Sequence, residues 1–451
     1  MTVAPERGWV ARLLTWLSPG LDDPAAARQL AWGTAGTMTV RVLASGLNLV
    51  TGMVLARLLL TRGYGIFVFC WASVDFLFAV ADLGMSTLVT QRTAAYAAQR
   101  KWSRLRGLLR RADQIVALMS VLAVTAGGVA LGVGALGGKP NLALTFLLAL
   151  PIVPLLGLTN LRRSVLLGLE RPVLSQLVRY VARPLVFWAI VALAYLLGAV
   201  EPSAPSAMAC ELLACAAILG LSVWAVRRFR PTELTEASPS YATRAWLLAA
   251  IPMLAIAHLN TFVWRLDIIM VGALATLEGA GIYGAATQWA GVVTYPFLAL
   301  TIVLSPVVSR LHARGDTATL QAIVTAGIRL ATGVSTVLLV GLWLTGPWLL
   351  GIYGSDFVAG TTALTILGVG QLLTMVFGPV WIILVMTGHA RVVALLLGCS
   401  AVINVSLDAL LIPIWGLEGA ALGSALVVNI FRVVGVWLVW RRLSLRATIW
   451  G

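Results

Sequence analysis

The chain has 451 residues, of which 60% are hydrophobic and only 11% are charged. Its mean hydropathy of +0.95 lies far outside the range of soluble globular domains and indicates a polytopic membrane protein. The formal net charge of +15 would favour a nucleic-acid partner in a soluble protein, but here the basic residues cluster in connections between apolar segments.

The first 35 residues are predicted to form a cytoplasmic segment ahead of the first membrane span. Acidic residues at Glu6, Asp22 and Asp23 argue against a cleavable signal peptide. Apolar residues recur there at helical spacing beside arginines, which favours a short helix in the lipid headgroup region, with a disordered tail as the alternative. These residues are Trp9, Val10, Leu13, Trp16 and Leu17.

Twelve apolar segments follow. Each has roughly the 20 residues or more that a helix needs to cross a bilayer. The predicted fold class is therefore an all-α integral membrane protein with twelve transmembrane helices. The approximate bounds are 36–60, 64–90, 114–137, 141–168, 174–198, 205–227, 243–273, 280–309, 322–350, 358–387, 391–412 and 416–440.

Lysine and arginine residues concentrate in alternate connections between these segments, which indicates that those connections are cytoplasmic. The connection between the second and third segments holds Arg92, Arg100, Lys101, Arg104, Arg106, Arg110 and Arg111. The opposite connections hold almost nothing basic beyond Arg62 and Lys139. Both termini are therefore predicted to lie on the cytoplasmic side of the cell's inner membrane, and the net charge needs no nucleic-acid partner.

The polar stretch from Arg227 to Arg244 divides the segments six and six. YGIFVFCWA from Tyr64 is echoed by AGIYGAATQWA from Ala280, and each opens the second segment of its half. This favours two parallel six-helix lobes around a central cavity. The predicted divisions are an N-terminal lobe at 36–227, a cytoplasmic linker at 228–242, a C-terminal lobe at 243–440 and a cytoplasmic tail at 441–451.

Five stretches spread over nearly the whole chain carry a recognisable pattern. They are LARLLLTRGYGIF (55–67), ADLGMS (81–86), RLDIIMVGALATLEGAGIYGAA (265–286), LSPVVSRL (304–311) and INVSLDALLIPIWGLEGAALGSAL (403–426). Together they resemble the polysaccharide transporter branch of the MOP (multidrug/oligosaccharidyl-lipid/polysaccharide) flippase superfamily. The resemblance implies a two-lobed fold of twelve helices, alternating access, and an undecaprenyl-pyrophosphate-linked oligosaccharide as substrate.

Ionisable residues inside membrane spans are costly, by roughly 2.5–3.5 kcal/mol at the bilayer centre, and tend to face a wet cavity. The charged residues singled out within the predicted spans are Arg41, Asp75, Asp82, Arg179, Arg183, Glu211, Arg265, Asp267, Arg329, Asp408 and Arg432. Arginines outnumber acids, and a basic cavity suits a pyrophosphate group, whereas a cavity for cations would invert the balance. The candidate substrate-binding residues are Arg41, Asn48, Arg179, Arg183, Arg265 and Arg329.

Some of these charges have a structural alternative. Arg179 and Arg183 share a face of the fifth helix, and they either face the cavity or reach the cytoplasmic headgroups. Asp267 stands where the resembled family usually has an acid, and a structural pair with a neighbouring helix is equally compatible with it. Three further charges are expected near the ends of spans rather than in the cavity. Glu211 and Asp408 are expected to be hydrated near the outer surface, and Arg432 to lie at the cytoplasmic end of the last helix, where it complements the helix dipole.

The second predicted span carries Asp75 and Asp82 on one stripe, because they lie seven residues apart. Across the short turn to the antiparallel first span, Arg41 matches the depth of Asp82 and Asn48 that of Asp75. Two paired rungs are therefore predicted, although equal depth does not establish that the side chains face each other. Asp75, Asp82 and Asp267 are the candidates for cation or proton coupling or for charge pairing.

The function predicted from these features is a flippase for a lipid-linked sugar repeat unit, with no covalent step and no cofactor. The four cysteines and three histidines show no metal-binding spacing, and no catalytic motif is evident. The alternatives are a MATE-type cation-coupled exporter and a non-transporting scaffold of a polysaccharide synthesis complex. A monomer in contact with membrane lipids is expected, with a polysaccharide polymerase or glycosyltransferases as further partners.

Overall fold

The computed structural model describes residues 24–130, 140–198, 201–443 and 445–450, and the regular secondary structure in these ranges is helical. Within them, eight helices are long and apolar enough to cross a membrane. Two of these eight helices contain two predicted spans each and the other six contain one each, so together they account for ten of the twelve predicted spans. The other two predicted spans, 243–273 and 280–309, are helical as well. The chain is a multi-pass, all-helical membrane protein.

The N-terminal half contains α1 to α8 in the described residues. Their bounds are Pro24–Asp82 (α1), Met85–Ala98 (α2), Trp102–Ala130 (α3), Pro140–Ala149 (α4), Ile152–Gly168 (α5), Pro172–Leu177 (α6), Arg183–Leu196 (α7) and Ala204–Phe229 (α8). A π-helical turn, Val178–Ala182, joins α6 to α7. Residues 1–23, where the interfacial helix is predicted, lie outside the described residues, and 24–35 form the start of α1.

The linker and the C-terminal half contain α9 to α16. Their bounds are Thr232–Glu236 (α9), Thr243–Leu274 (α10), Leu277–Ala290 (α11), Tyr295–Arg314 (α12), Thr317–Gly351 (α13), Thr361–Val376 (α14), Val380–Met386 (α15) and Ala390–Leu443 (α16). The linker packs on α3, because Arg106 Nη1 donates to the Ala237 oxygen at 2.6 Å and the Ser240 nitrogen to the Ser103 oxygen at 2.9 Å. The division of the chain into lobes at these bounds stays a prediction.

Backbone breaks within α1 and α16 fall where the sequence places the ends of spans. Leu60 in α1 has φ 60° and ψ 174°, and Gly416 in α16 has φ 57° and ψ −125°. A further break between α1 and α2 places Gly84 at φ 74°. A Cβ atom on Gly84 would lie 2.5 Å from the Leu254 nitrogen, so glycine allows both the left-handed backbone and the close approach of α2 to α10.

Polar contacts join the two halves at the end of the molecule where α1 breaks. Arg57 donates to the carbonyl oxygens of Ile352 at 2.7 Å and Gly351 at 3.0 Å. The Thr61 hydroxyl donates to Asp356 Oδ2 at 2.7 Å. The sequence predicts that these connections face outside, so the contacts close the end of the molecule that is expected to be external.

Close packing strengthens the closure at this end. A Cβ atom on Gly65 would lie only 2.0 Å from the Leu277 carbonyl oxygen, so α1 and the start of α11 touch through their backbones. Next to this contact the Tyr64 ring packs edge-on against Tyr353 and Phe357, with ring centroids 6.2 and 5.6 Å away. The main apolar core includes these aromatic residues and continues through both halves.

Candidate functional site

A cavity of about 430 Å³ lies between the two halves. This volume is in the usual range for small-molecule sites, about 300–1,000 Å³. Both arms of α1 contribute to the wall, together with the π-helical turn, α7, α8, α10 and α11. Its charged lining consists of three arginines and two carboxylates: Arg179, Arg183, Arg265, Asp75 and Glu211.

The irregular backbone near Arg179 follows from a proline. Pro184 has no N–H group, so it cannot donate to the carbonyl oxygen one helical turn earlier. The helix widens into the π-helical turn just before it, a feature frequent at functional sites. Arg179 lies in this turn and Arg183 begins α7, and both side chains line the cavity.

Arg183 forms an ion pair with a buried acid. Its Nε lies 3.1 Å from Glu211 Oε1, and the Glu211 side chain is only 4% exposed. The guanidinium also lies 4.4 Å from the centroid of the Trp71 ring, in cation–π geometry. A buried carboxylate requires a partner of this kind, so the expectation that Glu211 is simply hydrated near the outer surface is wrong.

Arg265 pairs with Asp75 across the two halves. Arg265 Nη2 lies 2.8 Å from Asp75 Oδ2, with α10 supplying the arginine and the second arm of α1 the acid. The predicted rung between Asn48 and Asp75 is therefore wrong. Asn48 lines the cavity, but its contact is through its backbone oxygen, which accepts from Gln288 Nε2 at 3.0 Å. The depth of a side chain in the membrane follows from sequence spacing, whereas the neighbour that it faces depends on how each helix is rotated about its axis.

Arg179 is held by a neutral side chain. Its Nη1 donates to Asn160 Oδ1 at 2.9 Å, and its guanidinium lies 5.4 Å from the centroid of the Tyr180 ring. Among the residues that the structure describes, no carboxylate lies within ion-pair distance of Arg179. The Asn160 oxygen also accepts from Arg163, whose Nε and Nη2 lie at 3.0 and 2.7 Å. One amide oxygen thus orients two guanidinium groups.

Asp82 is fully buried beside this group rather than in the cavity wall. It accepts a short hydrogen bond from the Ser86 hydroxyl, and Ser86 Oγ accepts from Asn160 Nδ2 at 2.8 Å. Asp82 is therefore connected to Arg179 through two polar side chains. The predicted pair of Arg41 and Asp82 stays a prediction, because the side chain of Arg41 lies outside the described residues.

A second polar cluster is buried in the C-terminal half around Asp267. Asn404 Nδ2 donates to Asp267 Oδ1 at 2.8 Å and to Asp408 Oδ2 at 2.9 Å. Tyr283 donates to Asp267 Oδ2 at 3.2 Å, and the Ser424 hydroxyl makes a short bond to the same oxygen. Asp408 is 0% exposed, so the expectation that it is hydrated is wrong, and its Oδ1 has no hydrogen-bond partner among the described residues.

Arg329 lies away from the cavity, which corrects the expectation that it binds substrate. It is exposed, and its Nε donates to the carbonyl oxygen of Ile449 at 3.0 Å. The residues after α16 fold back against the C-terminal half and supply that oxygen, an approach that sequence spacing does not reveal. Arg432, predicted at the cytoplasmic end of the last helix, is 5% exposed and donates to the Gly378 oxygen at 3.0 Å.

The polar partners that were not predicted are mostly uncharged. Asn160 and Ser86 organise the group around Arg179, and Asn404 links the two carboxylates of the other cluster. Single amides and hydroxyls are common in membrane helices, so they give a weak signal in sequence. The available signal was the spacing of Asn404 and Asp408, which lie four residues apart and therefore share a helix face.

Solved MATE-type transporters share the fold. An inward-facing multidrug resistance MATE family transporter of the MOP superfamily matches with a TM-score of 0.72 and 15% identity, over 91% of this chain and 98% of that one. An outward-facing one matches with a TM-score of 0.56 and 15% identity, over 92% and 95%. A MOP superfamily transporter from Pyrococcus furiosus matches with a TM-score of 0.64 and 15% identity, over 92% of this chain and 95% of that one. That transporter is reported with a reverse polarity of its binding pocket, which suggests a different function for it.

Family membership rests on the sequence itself. No curated protein matches the chain. The family model described as a polysaccharide biosynthesis protein matches residues 30–312, which is more than half of the chain. The family expected from the five stretches is thereby confirmed, and the chain belongs to the polysaccharide biosynthesis protein family.

Proposed function

We propose that the protein is a flippase that moves a polyprenyl-pyrophosphate-linked oligosaccharide across the cytoplasmic membrane for cell-surface polysaccharide synthesis. The observation that carries the proposal is the charge of the cavity, in which three arginines line the wall with two carboxylates. Arg183 and Arg265 are each matched by an acid, and Arg179 has none within ion-pair distance in the part of the chain that the structure describes. The cavity therefore offers a net positive site, which suits a pyrophosphate group.

The transport cycle follows from the contacts between the halves. The end near Thr61 and Asp356 is closed by hydrogen bonds and aromatic packing. We propose that this is the external end, so that the substrate's pyrophosphate and sugars enter the cavity from the cytoplasm while the polyprenyl tail stays in the bilayer. Release to the outside then requires these contacts to open, as alternating access demands. Both termini are proposed to be cytoplasmic.

For the driving force we propose the buried cluster around Asp267. Asp267 and Asp408 both accept from one amide group, and two carboxylates so close together in a buried site favour a shared proton or a bound cation between them. Asp75 is already neutralised by Arg265, so it is assigned to pairing rather than to coupling.

Two other functions make different predictions. A MATE-type exporter of organic cations would share the fold, but the net positive lining of this cavity would repel its substrate. A non-transporting scaffold for polysaccharide polymerase or glycosyltransferases would tolerate the loss of cavity arginines. The proposed flippase is a monomer with no covalent step, and such enzymes would be partners that supply or consume its substrate.

The experiment is reconstitution of the purified protein in liposomes with a fluorescent polyprenyl-pyrophosphate-linked sugar. We expect the label to become accessible on the opposite leaflet, and to do so at least about tenfold more slowly after Arg179→Gln. Liposomes that instead export ethidium and leave the labelled lipid in place would favour the cation exporter. Equal rates with and without the protein would contradict the flippase.

A further inference from the structure

The cavity lining changes from neutral to charged with distance from the closed end. The guanidinium groups of Arg183 and Arg265 contact Trp71 and Asp75 on the second arm of α1. Trp71 and Asp75 lie eleven and fifteen positions after the break at Leu60, which places them roughly 17 to 22 Å from the break along the helix. These two arginines therefore meet α1 well away from the closed end, which adjoins the break.

Three polar side chains converge on Gly52 nearer to the closed end. A Cβ atom on Gly52 would lie 2.6 Å from Gln288 Oε1 and 3.2 Å from the hydroxyl oxygens of Tyr353 and Tyr64. Gly52 and Tyr64 lie eight positions before and four positions after the break, or roughly 6 to 12 Å from it along α1. Gly52, Tyr64 and Gln288 line the cavity, and together with Tyr353 they are called the neutral pocket.

The polar groups of the neutral pocket are held in place and still have hydrogen-bonding capacity. Gln288 Nε2 donates to the backbone oxygen of Asn48 at 3.0 Å, and Gln288 Oε1 accepts from the Tyr353 hydroxyl at 2.9 Å. The second amide hydrogen of Gln288 is left for a ligand. The adjoining Thr51 hydroxyl accepts from Trp188 Nε1 at 2.9 Å, so its own hydrogen can also be donated into the cavity.

The two levels of the cavity suit different chemical groups. Sugar hydroxyls donate and accept hydrogen bonds, and so do the amide and hydroxyl groups of the neutral pocket. A pyrophosphate is charged and only accepts, so it is bound more strongly by the guanidinium groups at the other level. The neutral level and the basic level therefore match the sugars and the pyrophosphate of one lipid-linked molecule.

We propose that the neutral pocket is the subsite for the sugars attached to the pyrophosphate. Gln288 recognises their hydroxyl groups, and Gly52 leaves room for them because it has no side chain. The proposal rests on the flippase function and deepens it, since it assigns the sugars and the pyrophosphate to separate levels of the cavity. The sugar bound there is an uncharged one, because the groups of the pocket offer no charged partner to an acidic or amino sugar.

The test is direct binding to the full chain in lipid nanodiscs. The probes are farnesyl pyrophosphate and the same lipid carrying one or two N-acetylglucosamine residues. We expect the parent protein to bind a sugar-linked probe at least about tenfold more tightly than farnesyl pyrophosphate. Gln288→Met keeps the length of the side chain but removes the amide, so it should abolish this preference and change the affinity for farnesyl pyrophosphate by less than about twofold.

A second variant reaches the same pocket from the other half. Gly52→Ala puts a methyl group where the sugar is proposed to lie, and it should also abolish the preference. The protein should still fold, because the atom nearest to the new methyl group is the end of the flexible Gln288 side chain. Gly46→Ala in the same helix and Gln371→Met in α14 are the matched controls, since neither residue lines the cavity, and both should keep the parent's preference.

The outcomes separate this proposal from the function on which it rests. If the parent protein binds none of the three probes, the flippase function is contradicted, and the sugar subsite with it. If the parent binds all three probes equally tightly, only the sugar subsite is overturned. If Gln288→Met and Gly52→Ala weaken all three probes by the same factor, the subsite is also overturned, because the pocket would then act on the fold or the conformation rather than on the sugar.

Discussion

Asp75 and Arg265 form an ion pair, 2.8 Å long, that joins the two halves of the protein in the wall of the cavity. The side chain of the acid is 14% exposed and that of the arginine 34%, so the pair is intermediate between a buried ion pair and a surface ion pair. Its two members come from α1 and α10, which would move relative to each other in the proposed alternating-access cycle. The pair is therefore placed to respond to both substrate and conformation.

The first prediction concerns this pair. A double-mutant cycle with Asp75→Asn and Arg265→Gln should give a coupling energy of about 1–3 kcal/mol, between the values for exposed and buried pairs. Thermal unfolding of the purified protein in detergent measures it. A coupling energy near zero would show that the pair adds nothing to the stability of this conformation, and Arg162→Gln with Asp113→Asn provides a cycle within one half for comparison.

The second prediction concerns Arg183 and Glu211. Arg183→Gln alone should lower the free energy of unfolding by about 3–5 kcal/mol, because it leaves the buried carboxylate without its partner. Adding Glu211→Gln should restore most of the stability, since no buried charge then remains. The measurement is protein yield in membranes together with the thermal midpoint. A double variant as unstable as Arg183→Gln alone would mean that the charge on Glu211 is not the cause.

The third prediction concerns the proposed coupling cluster. Asp267→Asn and Asp408→Asn should each remove the dependence of flipping on an imposed ion gradient, because the site would lose one of its two acids. Proteoliposomes with sodium or proton gradients of either direction measure this dependence. Asp75→Asn serves as the comparison, and coupling that disappears in that variant but persists in Asp267→Asn would reverse the assignment.

The fourth prediction concerns the break between α1 and α2. Gly84→Ala should destabilise the protein by about 1–3 kcal/mol, because the new methyl group would meet the Leu254 backbone and a positive φ at the same time. Gly46→Ala in α1 is the control, since among the described residues no atom outside the adjacent helix backbone lies within 4 Å of the added carbon. Equal thermal midpoints for the two variants would show that α2 and α10 can separate without cost.

The fifth prediction concerns orientation. Cysteine or epitope tags at Glu201 and Asp356 should react with impermeant reagents from outside intact cells, and tags at Lys101 and Glu233 only after the membrane is opened. The measurement is labelling before and after permeabilisation. A tag at Lys101 that is labelled in intact cells would overturn the proposed topology, and with it the identification of the closed end as the external one.

Much of the architecture follows from local features of the chain. The predicted spans are helical over most of their described residues, with breaks inside three of them, and the backbone leaves the helical conformation at Leu60 and Gly416, where adjoining spans were expected to end or begin. Arg179, Arg183 and Arg265 were selected because charges are expensive in lipid, and all three line the cavity. Length, hydropathy and the cost of burying a charge act on short stretches, so they can be evaluated without a partner.

The choice of partner was decided by the tertiary structure alone. Asp75 meets Arg265 rather than Asn48, and Glu211 meets Arg183 rather than water. Arg329 reaches the carbonyl oxygen of Ile449, a residue 120 positions away. Sequence spacing sets the depth of a side chain and the stripe that it occupies, but the rotation of each helix follows from packing over its whole length. Composition and periodicity therefore determined a multi-pass helical membrane protein and the charges inside its spans, and the packing of the halves determined which of those charges line the cavity and which acid each arginine meets.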